Sequence, residues 1–343
     1  MSGESPKLDD CLNMSHATSV EELLPRIGFS SRVIPIPITA SSHIKVILLL
    51  RSGCVRPCTG GGSAHSVCGM SVLITVDDLA AALAGPTPPV VLDVRWTLGG
   101  PPGHGEYLGG HIPGAVYADL DTDLAGHGEP TDGRHPLPAP DHLERAARRW
   151  GIEPGCAVVA YDGGGNLAAA RAWWLLRWAG LTDVRLLDGA LPAWVAAGLP
   201  LTVDDVVPEP GRVSLTAGSV PTLTLEEARA FGGVLLDARA PERFRGETEP
   251  IDPKAGHIPG AVSAPTGDNL TADGHFRPPS ELRERFTALG VGDGKAVGAY
   301  CGSGVTAAHQ VAALAIAGFD GAALFPGSWS QWSNHDLPVA TGD

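Results

Sequence analysis

Positive charge is scarce in this chain. Its 343 residues include 24 Lys and Arg against 38 Asp and Glu, a formal net charge of −14. That balance excludes nonspecific binding to nucleic acid, which needs cations to neutralise phosphates. It excludes adhesion to an anionic membrane surface for the same reason. A small basic pocket for an anionic substrate stays compatible with it. Long apolar runs are missing too. The longest run of Val, Ile and Leu alone is the five-residue VILLL at 46–50, against the ~20 residues of a membrane helix. The first 30 residues have no basic start followed by an apolar core, so no secretory signal is expected. Cysteine is limited to Cys11, Cys54, Cys58, Cys68, Cys156 and Cys301, and this spacing fits no disulfide framework. A reducing compartment, the cytoplasm, is the expectation. Charged residues reach only 18% and hydrophobic ones 43%, too apolar for a disordered acidic chain and sufficient for two packed cores.

The first 69 residues are rich in Ser, Gly and Pro and show no sustained period. They are expected to be a disordered extension, with the folded part starting near Met70. Within them, Cys54, Cys58, His65 and Cys68 could be read as a zinc site, although their spacing matches no common ligand set. Downstream, Thr75 before Val76-Asp77-Asp78 reads as a helix N-cap with acids in the first turn.

From there on the chain is duplicated. VVLDVRW at 90–96 recurs as VLLDARA at 234–240, and GGHIPGAVYA at 109–118 as AGHIPGAVSA at 255–264. AVVAYDGGGNLAAARA at 157–172 recurs as AVGAYCGSGVTAAHQV at 296–311, with Asp162 aligned to Cys301. LLDGALPAW at 186–194 recurs as LFPGSWSQW at 324–332. Each half alternates short apolar runs, suited to buried parallel strands, with Ala-rich helices ending at Gly180 and Gly318. The expected fold is α/β, with two tandem domains, each a parallel sheet covered by helices on both faces. We place the first domain at 71–198, a Pro-rich linker at 199–222, and the second domain at 223–343.

Cys301 is the residue with chemistry to offer. It stands at a strand end before Gly302-Ser303-Gly304-Val305-Thr306, where a helix starts. Ligands in open parallel sheets bind outside the carboxyl ends of the strands. Helix-start amides stabilise a thiolate, and glycines let successive amides converge on one anion. We expect Thr306 to cap the helix and Ser303 to donate a hydroxyl proton to a substrate. A buried inert cysteine is the alternative. Asp162, in the matching turn, cannot act as a thiol.

YCGSGVTA, the repeated HIPGAV, GRHPLP at 133–138, RAWW at 171–174 and GSWSQW at 327–332 together resemble the tandem-domain rhodanese sulfurtransferases. That family includes the thiosulfate and 3-mercaptopyruvate enzymes, and the resemblance spans roughly residues 71–340. It implies a silent first domain and a catalytic second one. It also implies a ping-pong reaction in which Cys301 takes sulfur as a persulfide and passes it to cyanide or a thiol. The acceptor would be a low-molecular-weight thiol or a thioredoxin-like protein, and no metal or organic cofactor is implied. The neutral Gly-Ser-Gly loop matches the mercaptopyruvate enzymes, and a thiosulfate:cyanide enzyme is the alternative. Arg243, in ERFRG, matches an arginine that holds the donor carboxylate. Arg171 matches an interdomain arginine that faces the site and is expected to bind substrate, and Arg134 could line the cleft entrance.

Two departures stand out. Between ERFRG and HIPG only Lys254 is basic, where a second arginine is often found. Family members also use a Ser–His–Asp relay; Ser303 and His111 match two members of it, but no aspartate is apparent between 99 and 110, leaving Glu106 as a substitute. His111 and its copy His257 could equally organise their turns. Two rival functions remain. A Cys-dependent phosphatase would need arginine six positions after the cysteine, where Ala307 stands. A non-catalytic rhodanese-like binding module would have lost Cys301.

Overall fold

The computed structural model describes residues 71–343. The N-terminal extension and its Cys54, Cys58, His65 and Cys68 lie outside the described residues. Ser71 leads into β1 (Leu73–Ile74) and α1 (Val76–Leu83). Thr75 caps that helix as its sequence suggests: its hydroxyl accepts from the Asp78 amide at 3.1 Å.

The first sheet adds β2 (Val90–Asp93), β3 (Val116–Tyr117), β4 (Val158–Tyr161) and β5 (Val184–Leu187), all parallel, in the order β1-β5-β4-β2-β3. Its helices besides α1 are α2 (His104–Gly109), α3 (Pro140–Arg149), α4 (Ala169–Trp178) and α5 (Ala190–Ala196). The second half follows the same plan. After α6 (Leu225–Arg229) come β6 (Val234–Asp237), α7 (Pro241–Phe244), β7 (Val262–Ser263), α8 (Pro279–Ala288), β8 (Val297–Tyr300), α9 (Thr306–Ile316), β9 (Ala323–Leu324) and α10 (Ser328–Ser333). This sheet is also parallel, in the order β7-β6-β8-β9.

Helices cover both faces of each sheet, because alternate strand residues feed different cores. Leu92, Val158 and Ala160 join a core shared by both halves, where α4 packs on α9. Val91, Val159 and Trp194 belong to a separate core on the far face of the first sheet. Leu235, Tyr300, Trp329 and Trp332 form its counterpart in the second. The continuous shared core brings the carboxyl ends of β4 and β8 to the same cleft. Gly180 and Gly318, just past α4 and α9, have φ of 97° and 78°, the left-handed geometry of a glycine stop.

The duplication extends to buried polar devices. Arg95 pairs with Asp93 at 2.9 Å, and Arg239 with Asp237 at 2.7 Å. The Ile112 amide donates to Tyr161 Oη, and the Ile258 amide to Tyr300 Oη. His111 Nδ1 lies 2.9 Å from the Tyr107 carbonyl, and His257 Nδ1 2.7 Å from that of Phe244. Each ring stacks on the same aromatic residue, at 3.9 and 3.7 Å. His111 Nε2 is 3.1 Å from Thr202 Oγ1. Both ring nitrogens of His111 are thus engaged, one by the Tyr107 carbonyl just before its turn and one by Thr202, and neither reaches the cysteine loop. The candidacy of His111 as relay base is corrected: it organises the HIPG turn, as His257 does.

Candidate active site

A cavity of about 840 Å³ lies between the two halves, with Cys301, Ser303, Thr306, Arg134 and Arg243 in its wall. Cys301 follows β8 and is 2% exposed. Its own amide donates to Ser328 Oγ at 3.1 Å, and its carbonyl accepts from the Trp329 amide at 3.0 Å. The backbone is pinned from behind, which leaves Sγ facing the loop. There the Gly304 amide donates to Sγ at 3.1 Å. Gly304 has φ of +80°, and a Cβ on it would sit 2.4 Å from the Pro326 carbonyl oxygen, so only glycine fits. The amides of Gly302, Ser303, Val305 and Thr306 make no hydrogen bond to another protein group among the described residues. Thr306 does not cap α9. It is the first helical residue, Val305 is the N-cap, and no side chain satisfies the helix start. The absence of a cap leaves these donors free for an anion in the cavity.

The matching turn of the first half has the same shape with its anion built in. The Asp162 carboxylate accepts from the amides of Gly164 (2.8 Å), Asn166 (2.9 Å), Ala168 (2.9 Å) and Ala169 (3.3 Å). Burial pushes its pKa up, and those four amide bonds work against the rise.

Two arginines lie over the cysteine loop. A Cβ on Gly302 would stand 3.0 Å from Arg134 Nη2 and 3.5 Å from Arg243 Nη1. Arg243 is braced by Glu249 at 2.6 Å and Asp252 at 3.3 Å, and Arg134 by Asp252. Arg134 comes from the first half, from the GRHPLP loop, and reaches the cavity beside Arg243. Lys254 is spent elsewhere, its Nζ donating to the His335 carbonyl at 2.7 Å.

The histidine that meets the cysteine loop is His135, beside Arg134, which sequence reasoning passed over. Its Nδ1 lies 2.7 Å from Ser303 Oγ, and its Nε2 3.3 Å from Asp121 Oδ1. An ionised carboxylate only accepts, so the ring proton belongs on Nε2 and Nδ1 accepts from the Ser303 hydroxyl. Burial, with Arg171 and Arg134 nearby, lowers the His135 pKa to about 4 despite the pull of Asp121. The ring is therefore neutral near pH 7. Trp96 holds both members, its Nε1 3.2 Å from Asp121 and its ring edge-on to His135. Glu106 offers its backbone carbonyl to Arg95, and the carboxylate beside His135 is that of Asp121, so the place expected for Glu106 is corrected.

Arg171 is also elsewhere than expected. It is fully buried, and its guanidinium donates to the carbonyls of Leu124, His135, Pro136 and Gly304. Burial lowers its pKa to about 10, against a pull from Cys301. Arg171 ties the Cys301 loop to the His135 loop from behind, and the substrate-binding role expected for it is corrected to one of positioning.

The rhodanese-like domain family matches this chain twice, at residues 75–197 and 223–335. A Mycobacterium tuberculosis protein named provisionally as thiosulfate sulfurtransferase SseB is 48% identical over 277 residues, 79% of this chain and 97% of that one. Human 3-mercaptopyruvate sulfurtransferase is 35% identical over 275 residues, 76% of this chain and 91% of its own. The crystal structure of the Escherichia coli 3-mercaptopyruvate enzyme SseA superposes with a TM-score of 0.68 at 31% identity, covering 76% of this chain and 99% of that one. With two matching domains, both sheets and a cysteine at the expected strand end, the chain belongs to the tandem rhodanese-domain sulfurtransferases.

Proposed function

We propose that this sulfurtransferase takes its sulfur from 3-mercaptopyruvate, with Cys301 as nucleophile and a Cys301 persulfide as intermediate. The Cys301 thiolate attacks the donor's thiol sulfur. The donor's carbon–sulfur bond breaks, and its electron pair goes to the pyruvate enolate. The thiol proton ends on the enolate carbon, so pyruvate leaves and a persulfide anion remains. Splitting the transfer through one covalent intermediate gives two easier steps. The free amides of Ser303 and Val305 suit the charge on the outer sulfur, as their counterparts suit the Asp162 carboxylate. Arg134 and Arg243 suit the donor carboxylate, which a pair of guanidinium groups can grip.

The observation that carries the choice of donor is the Ser303–His135–Asp121 chain. Mercaptopyruvate must move a proton from sulfur to carbon, and a neutral imidazole behind a hydroxyl can hold it in transit. Thiosulfate has no proton to move; its sulfite leaves with the electron pair alone. A relay built beside the nucleophile is thus useful to one donor and idle for the other.

The test is the ratio of kcat/KM for the two donors, with cyanide as common acceptor and Cys301→Ser as blank. The expected ratio favours mercaptopyruvate. Ser303→Ala and His135→Ala should lower mercaptopyruvate transfer about a hundredfold and thiosulfate transfer far less. Equal losses with both donors would reject the relay, and a ratio favouring thiosulfate would reject the donor. Sulfur would then pass from Cys301 to a thiol or to cyanide.

A further inference from the structure

A second hydroxyl–imidazole pair borders the same cavity. Thr266 follows β7, forms part of the cavity wall and is 7% exposed. Its Oγ1 lies 2.7 Å from Nδ1 of His309, a fully buried residue of α9. The ring stacks on Phe276 at 4.5 Å. Its Nε2 is buried with no hydrogen-bond partner among the described residues. A neutral ring carries one proton; we assign it to Nε2, which leaves Nδ1 to accept from the Thr266 hydroxyl. Burial drives the His309 pKa down to about 3, which keeps the ring neutral. Beyond this, Asn269 Nδ2 approaches Thr266 Oγ1 at only 3.4 Å while bonding Gln310 Oε1 at 2.9 Å. The Thr266 oxygen therefore keeps acceptor capacity.

Packing does not explain this pair. A phenyl ring would stack on Phe276 as well, without burying a polar nitrogen that lacks a proper partner. The donor step does not use it either, since Ser303 and His135 stand with Arg134 at the cysteine loop. The cavity, at about 840 Å³, is also far larger than a donor of a few heavy atoms requires, so it has room for a second small molecule. Thr266 reaches it from a separate element, the turn after β7, with Pro265 and Gly267 beside it.

We propose that Thr266, positioned by His309, is the proton site for a small thiol acceptor in the second half of the reaction. This rests on the persulfide reading above and deepens it. The acceptor's S–H binds Thr266 Oγ1 and releases its proton there while the hydroxyl proton moves to His309 Nδ1. The acceptor sulfur attacks the outer persulfide sulfur. The persulfide S–S bond breaks, and its electron pair returns to Cys301 Sγ. The proton then moves onto the product, which leaves as R–S–SH. Protons and charge balance with no outside reductant. A ring that resists charge holds the proton only in passing. Cyanide carries no proton, leaves as thiocyanate and bypasses the pair.

Acceptor kinetics on the full chain test this, with saturating 3-mercaptopyruvate and either 2-mercaptoethanol or cyanide. Thr266→Val and His309→Phe should each lower the thiol-to-cyanide ratio of kcat/KM by about tenfold or more. Thr266→Ser should restore the ratio. A ratio unchanged in Thr266→Val, or equal losses with both acceptors, would overturn the proposal. If His309→Phe fails to fold, the Thr266 variants decide alone. Sulfur loading of the unaltered enzyme by the donor, measured separately, reports whether the underlying persulfide reading holds.

Discussion

The two halves build the same loop and fill it differently. After β4, Asp162 places a carboxylate where four amides converge. After β8, Cys301 places a thiol there. One amide meets Sγ, and the Ser303 and Val305 amides, counterparts of those of Gly164 and Asn166, are left free. The first half shows what the loop is for: it holds one negative charge at the start of a helix, without a cation. On the proposed mechanism, the second half leaves that place to a charge that comes and goes with the transferred sulfur. On that mechanism the Asp162 turn is thus an internal picture of the loaded state of the Cys301 loop.

The strongest way to break this comparison is to make the loops alike. Cys301→Asp should reduce sulfur transfer by about a thousandfold or more, as loss of a nucleophile does, while the thermal midpoint holds because the carboxylate takes up the free amides. A chain that melts early would show that the two loops are not equivalent cradles. The reverse change is the next largest. Asp162→Ala leaves four buried amides without an acceptor and should cost roughly 3 kcal/mol, read from chemical denaturation. A cost near zero would mean that water or another group satisfies them.

The smallest expected effect concerns acid. His309 and His135 have folded pKa values of about 3 and about 4, both below the ordinary 6.5. A depressed histidine binds its proton more readily in the unfolded chain, so its contribution to stability is complete above 6.5 and is lost as pH falls toward the folded value. His309→Asn should flatten the stability-versus-pH curve near pH 5 by up to about 1.4 kcal/mol per pH unit. An unchanged slope would mean that His309 is already protonated in the native state.

The sequence made the second loop legible because all its information is local: strand, cysteine, two glycines and a helix within a dozen residues. The fold was legible through the duplication, which prints each element twice. The relay was not. His135 and Ser303 are 168 positions apart, and no period links a loop of one domain to a loop of the other. DLDTD at 119–123 offers three aspartates, and only the approach of Trp96 and His135 singles out Asp121. The signal that could have found His135 was its place beside Arg134 in GRHPLP. Arg171 misled for the opposite reason: the resemblance makes it an interdomain arginine facing the site, whereas its four hydrogen bonds go to carbonyls that only the tertiary fold brings together. His111 fits the relay by residue type alone, but its two nitrogens are taken by the Tyr107 carbonyl and by Thr202.

The most direct test is to incubate the enzyme with 3-mercaptopyruvate without acceptor, then locate the added sulfur by peptide mass spectrometry. The account predicts one extra sulfur atom on Cys301, lost on adding cyanide, and none on the half-buried Cys156. Sulfur found on another cysteine, or turnover with no sulfur on Cys301, would contradict it.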